Sequence, residues 1–124
     1  MIRLFLLWAP VVAYMALIFF ASSLSNPPTP TNVSDKSLHF AAYFGLGVLA
    51  VRAALGGVPA RVTRRGATLA LLIAIGYGVF DEAHQWFVPG RTADVLDLLA
   101  DSAGAVAALV VCWAWGILWL RSHV

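Results

Sequence analysis

The sequence predicts an all-α fold, an integral membrane bundle of four transmembrane helices, and three observations carry that expectation. Of 124 residues, 61% are hydrophobic and 11% charged, whereas a soluble domain is about 45 to 50% apolar. The apolar residues gather into four blocks, about Leu4 to Ser22, Lys36 to Leu55, Gly66 to Phe87 and Ala93 to Leu120. Each is near or above the ~20 residues that carry a helix across ~30 Å of hydrocarbon. No block alternates with period two, which excludes a closed barrel. By length the chain, residues 1–124, is one domain. Its formal net charge of +2 comes from loops suited to a lipid headgroup surface. There is no basic stripe with interleaved aromatics, so nucleic acid is not an expected partner.

The first block has Arg3 before it and the small residues Ala21, Ser22 and Ser23 after it, as a cleavable signal peptide also has. Its apolar run exceeds the roughly 7 to 15 residues of a signal core. Tyr14 and the pair Phe19-Phe20 suit interfacial anchors, so it is read as a retained helix. The stretch Ser25 to Asn32, with Pro27, Pro28 and Pro30, ends the helix and forms an extended surface loop. Ser34 is the expected N-cap of the second helix. There Lys36, His39 and Tyr43, spaced i, i+3, i+7, share a face, and Gly45 and Gly47 admit a close neighbour.

The second loop, Arg52 to Arg65, holds four arginines and no acid. By the positive-inside rule it faces the cytoplasm, as do both termini with Arg3 and Arg121. All six acids (Asp35, Asp81, Glu82, Asp94, Asp97, Asp101), with Lys36, Arg91, His39 and His84, then lie at the outer face. On the third helix Tyr77, Asp81 and Gln85 share a face, with Gly76 and Gly78 thinning it. The segment Asp81-Glu82-Ala83-His84-Gln85 packs polar groups densely before the Pro89-Gly90 turn and Arg91.

The fourth helix is expected from Ala93, with Thr92 as N-cap. Asp94, Asp97, Asp101, Gly104 and Ala108 form one stripe, which must face its neighbours because each lipid-facing aspartate would cost ~2.5 kcal/mol or more. Asp101 lies about 10 Å further along the axis than Asp94. Trp113, Trp115 and Trp119 suit the lipid surface and an inner aromatic belt. The lone Cys112 has no partner for an internal disulfide and is read as a packing or lipid-facing residue.

The residues alone leave several chemistries open. Helix N-termini with Lys36, Arg91 and a protonated His39 suit a lipid-linked phosphate or pyrophosphate. His39, Asp81, Glu82, His84 and Asp97 are metal-ligand types, yet no spacing has the specificity of His-Glu-x-x-His, and no metal or cofactor is assigned. Carboxylates beside a histidine suit general acid-base work. Ser34, Ser37 and Ser102 lack a nucleophile motif. The structural alternative pairs charges to hold the helices: Asp97 or Asp81 with Arg91, Asp35 with His39, Tyr43 or Gln85 with a carboxylate, and His84 and Glu82 turned to solvent.

Three ordered motifs, Asp35-Lys36-x-x-His39-Phe40-x-x-Tyr43-Phe44-x-Leu46-Gly47, Asp81-Glu82-x-His84-Gln85-x-Phe87-Val88-Pro89-Gly90-Arg91 and Asp94-x-x-Asp97-x-x-Ala100-Asp101-x-x-Gly104, resemble the VanZ-like family. The resemblance implies a small bacterial multi-pass membrane protein of the cell envelope. The family's founding member is known for resistance to the glycopeptide teicoplanin. Family members often carry Asn where this chain has Asp101.

The expected site is an outward-facing polar pocket for the headgroup of an envelope lipid or a glycopeptide. Asp35, Lys36, Tyr43, Gln85, Arg91, Asp97 and Asp101 are its binding residues. His39, Asp81 and Glu82 stand by as acid and base, with enzymatic turnover left open. The alternative is a non-enzymatic structural or ion- or proton-conducting membrane protein.

Overall fold

A computed structural model describes residues 1–58 and 61–123. Part of the expected basic loop, at 59 and 60, lies outside the described residues, as does residue 124 of the expected single domain. The described residues form α1 (Ile2–Ser22), α2 (Asp35–Leu55), α3 (Arg64–Gln85) and α4 (Val95–Ser122), with no strand among them. All four helices are long and apolar enough to cross a membrane. Helices α2, α3 and α4 pack on one another, while α1 packs on α2 and α3 and stands away from α4.

Small residues set this packing. Between helices in lipid there is little hydrophobic gain, so close backbone approach and polar contacts hold the bundle. The buried face of α3 runs Gly66, Ala70, Ala74, Gly78, Asp81, Glu82 and Gln85, and that of α4 runs Asp97, Asp101, Gly104, Ala105, Ala108, Cys112 and Gly116. At Gly104 the backbones of α4 and α2 meet, and a Cβ there would press into the carbonyl of Phe40 on α2. Gly47 answers from α2, where a Cβ would stand 2.7 Å from that of Ala108. Many large apolar side chains, among them Phe5, Leu72, Trp113 and Leu118, point outward.

The helix ends follow from capping chemistry, with one correction. Ser34 caps α2 as expected, its side chain accepting from the Ser37 N–H at 3.1 Å. Thr63 caps α3 by accepting from Gly66. The fourth helix is capped by Asp94, which accepts from the Leu96 N–H at 2.8 Å, and not by Thr92. Both are capping types, but the Pro89-Gly90 turn, with Gly90 at φ 80° and the Arg91 N–H on the Val88 carbonyl, delivers an extended Asp94 to the helix start. The third helix ends at Gln85, short of Phe87, because the turn begins at Trp86.

Pro10 sits inside α1. It lacks the N–H that would bond to the Leu6 carbonyl four residues back. The Arg52 guanidinium on α2 donates to that carbonyl at 3.2 Å, supplying the missing partner from a neighbouring helix.

Candidate functional site

The N-termini of α2 and α4 and the C-terminus of α3 meet at one end of the bundle, and all six acids lie there. At the other end Arg3 donates to the Gly56 carbonyl at 3.1 Å. Gly56 caps α2 in the left-handed region, at φ 75°, where a glycine is favoured.

Lys36 bridges α2 to α4. Its ammonium donates to Asp94 Oδ2 at 2.7 Å and to Asp97 Oδ1 more closely still. The Asp94 carboxyl, at the cap just outside α4, is held below its usual range, first by the Lys36 ammonium and then by the Leu96 N–H. Deeper, His39 stands among four carboxylates. Its Nδ1 is 2.9 Å from Asp101 Oδ1 and 4.0 Å from Glu82 Oε1, and its Nε2 is 3.6 Å from Asp97 and 3.8 Å from Asp35. The other oxygen of Glu82 accepts the Asp94 N–H at 2.9 Å. Glu82, which the structural alternative turned to solvent, is buried because this bond ties its side chain under the start of α4.

A second chain runs from Arg91, whose guanidinium donates to Gln85 Oε1 at 2.9 Å and to the Leu24 carbonyl at 3.3 Å. The Gln85 amide in turn donates to Asp81 Oδ2 at 3.4 Å. Arg91 therefore pairs with neither Asp97 nor Asp81: Lys36 reaches Asp97 first, and Gln85 stands between Arg91 and Asp81. Among the described residues no carboxylate lies within ion-pair distance of Arg91. Tyr43 is buried with its hydroxyl unpartnered, as is Asp81 Oδ1. His84 lies apart from this group, stacked on Phe19 and 2.9 Å from the Ser23 hydroxyl.

Two cavities flank these chains. One, of about 370 Å³, lies between α1 and α2 under the proline loop. Leu17, Ile18 and Leu38 make it largely apolar, and His39, Tyr43 and Asp81 form its polar wall. The other, of about 350 Å³, opens at the polar end among Ser25, Asn26, Lys36, Thr92, Asp94 and Asp97. Asp35, Gln85 and Arg91 line both. Of the predicted site residues, Asp35, Lys36, His39, Tyr43, Asp81, Gln85, Arg91 and Asp97 border a cavity, whereas Glu82 and Asp101 sit behind His39.

Tyr14, expected as an interfacial anchor, instead lines the apolar cavity and fills the space over Gly45. The glycine was visible in sequence, but its partner on another helix was not. Gly76, expected to thin α3 beside a neighbour, faces open space, and Gly78 alone meets α4, against Asp101 and Leu98.

The family model described as VanZ/LLP1 matches residues 5–119, nearly the whole chain. Among curated proteins and solved structures, nothing matches.

Proposed function

We propose, for a chain that belongs to the VanZ/LLP1 family, that its polar end binds the anionic headgroup of an envelope lipid. One observation carries this reading. Arg91 lies in the wall shared by a polar and an apolar cavity, its charge held by an amide and a carbonyl, with no carboxylate within ion-pair distance among the described residues. A guanidinium so placed recognises a phosphate oxygen in bidentate fashion, while the apolar cavity accepts the start of an acyl or prenyl chain. Lys36, expected to share the anion, is already bound by Asp94 and Asp97 and forms the rim of the site. The volumes suit a headgroup and not an entire glycopeptide.

The six arginines of the opposite end orient the protein, so the site faces outward from a bacterial cytoplasmic membrane with both termini inside. The polar track stops at Asp101, below which the buried face of α4 is Gly104, Ala105, Ala108 and Cys112. That arrangement favours binding over conduction. His39, paired with Asp101 in the cavity wall, supplies a second reading as a general base on the bound headgroup, with Asp81 or Glu82 as proton partner.

The test is native mass spectrometry of detergent-purified protein loaded with phosphatidylglycerol or phosphatidylcholine. Wild type and Arg91→Lys should retain phosphatidylglycerol preferentially, and Arg91→Gln should lose the preference while staying folded, with only the modest drop in thermal stability that its two lost hydrogen bonds imply. A folded Arg91→Gln protein that keeps the full preference would sink the reading.

A further inference from the structure

We infer that His39, Glu82 and Asp101 form a binding site for a divalent transition-metal ion of the zinc or manganese type. The three residues come from α2, α3 and α4, and one donor atom of each lies within 4.8 Å of the others. The inference does not rest on headgroup binding, because Arg91 takes no part in it.

The geometry supplies more than a cluster of acids. Glu82 is 7% exposed and Asp101 is 0% exposed. Glu82 Oε1 has no hydrogen-bond partner and points toward His39 Nδ1 at 4.0 Å. Asp101 presents Oδ1 to the same nitrogen at 2.9 Å, while its Oδ2 is also unpartnered. Asp81, 2% exposed, adds a further bare oxygen. Buried carboxylate oxygens without partners are costly and call for a proton or a cation. The cations nearby are committed elsewhere, Lys36 to Asp94 and Asp97 and Arg91 to Gln85 and Leu24. A dication between Nδ1 and the two carboxylates would balance two of these charges at once.

The surroundings match what a metal-bound histidine needs. A ligating imidazole usually donates its other ring N–H to a carboxylate, which fixes the tautomer. Here Nε2 lies 3.6 Å from Asp97 and 3.8 Å from Asp35, within ion-pair reach of both, and Nδ1, now 2.9 Å from Asp101 Oδ1, would exchange that contact for the ion. The Asp94 N–H on Glu82 Oε2 likewise fixes the carboxylate that would bind through Oε1. One imidazole nitrogen and two carboxylate oxygens, with no thiolate, select zinc or manganese over soft ions. Three protein donors leave coordination positions for water. No short-range sequence spacing reveals this set, because each ligand sits on a different helix.

The full chain, stripped with chelator in detergent, should take up one Zn²⁺ or Mn²⁺ per chain on titration and gain thermal stability. Glu82→Gln and Asp101→Asn should each lose more than the roughly 100-fold in affinity that removal of an outer partner costs. Asp97→Asn, acting through Nε2, should lose about 10- to 100-fold. Glu82→Gln also removes a buried carboxylate whose Oε1 has no hydrogen-bond partner, so its metal-free form should unfold no earlier than wild type, and that result confirms the variant is folded. Failure of the wild type to bind either ion would overturn the assignment. So would tight binding that survives in Glu82→Gln and Asp101→Asn but is lost in Asp35→Asn and Asp97→Asn, since the ion would then sit on the opposite edge of the imidazole.

Discussion

Gly104→Ala should weaken the bundle while Gly76→Ala should not, although both add one methyl group to the middle of a helix. Each substitution gains about 0.8 to 1 kcal/mol of intrinsic helix preference. A Cβ on Gly76 would meet nothing within 4 Å, so that gain stands alone. A Cβ on Gly104 would collide with the Phe40 carbonyl oxygen and lie 2.9 Å from the Phe44 nitrogen and 3.2 Å from the Phe40 carbonyl carbon. These are backbone atoms of the facing helix and cannot rotate aside. Overpacking a well-packed site costs about 1 to 3 kcal/mol, and an obstacle made of backbone places the cost at the upper end of that range. The expected net effects are a loss of about 1 to 2 kcal/mol for Gly104→Ala and a gain of up to about 1 kcal/mol for Gly76→Ala. Reversible unfolding in mixed micelles with increasing dodecyl sulfate, followed by tryptophan fluorescence, measures both. Equal stability of the two variants would refute the claim that backbone contact between α2 and α4 sets their spacing.

Two further predictions concern the polar contacts. Tyr77→Phe removes the 2.6 Å bond from α3 to the Met15 carbonyl and should cost about 0.5 to 1.5 kcal/mol in the same assay; no change would show that α1 is held without it. Asp94→Asn keeps a capping side chain but removes one of the two carboxylate partners of Lys36. The folded carboxyl lies below its ordinary value of 3.8, so its contribution is present above that pH and fades as pH falls through the lower folded value. Wild type should therefore lose stability below about pH 4 more steeply than Asp94→Asn, and parallel acid curves would contradict the role given to Lys36.

The helices were legible in the sequence because membrane spans are written in local composition. Ser34 was legible as a cap for a similar reason, since it acts within three residues. The partners of the charged groups were not. Lys36 meets Asp94 and Asp97, and His39 meets Asp101, across about sixty residues of chain, and such pairs depend on how each helix is rotated about its axis. The acid stripe of α4 indicated that it faced a neighbour, yet not which cation it would take. That choice, fixed by the short reach from the first turn of α2 to the cap of α4, left Arg91 without an acid at ion-pair distance among the described residues. Thr92 and Asp94 show a smaller ambiguity, since two good caps two residues apart are distinguished only by the preceding turn.

Helix α1 is fastened in an unusual currency. Arg52 grips the Leu6 carbonyl, Tyr77 the Met15 carbonyl and Arg91 the Leu24 carbonyl just beyond its end. A carbonyl is present at every position whatever the side chain, so these anchors place little demand on the identity of the residues that bear them. Apart from Arg3, Leu7, Pro10, Val11 and Tyr14, whose side chains make contacts of their own, the first span can therefore drift in sequence while the grips that hold it, carried by α2, α3 and the turn after α3, cannot. Related chains should look least alike where this one first enters the membrane, and a first helix exchanged between two of them should still dock.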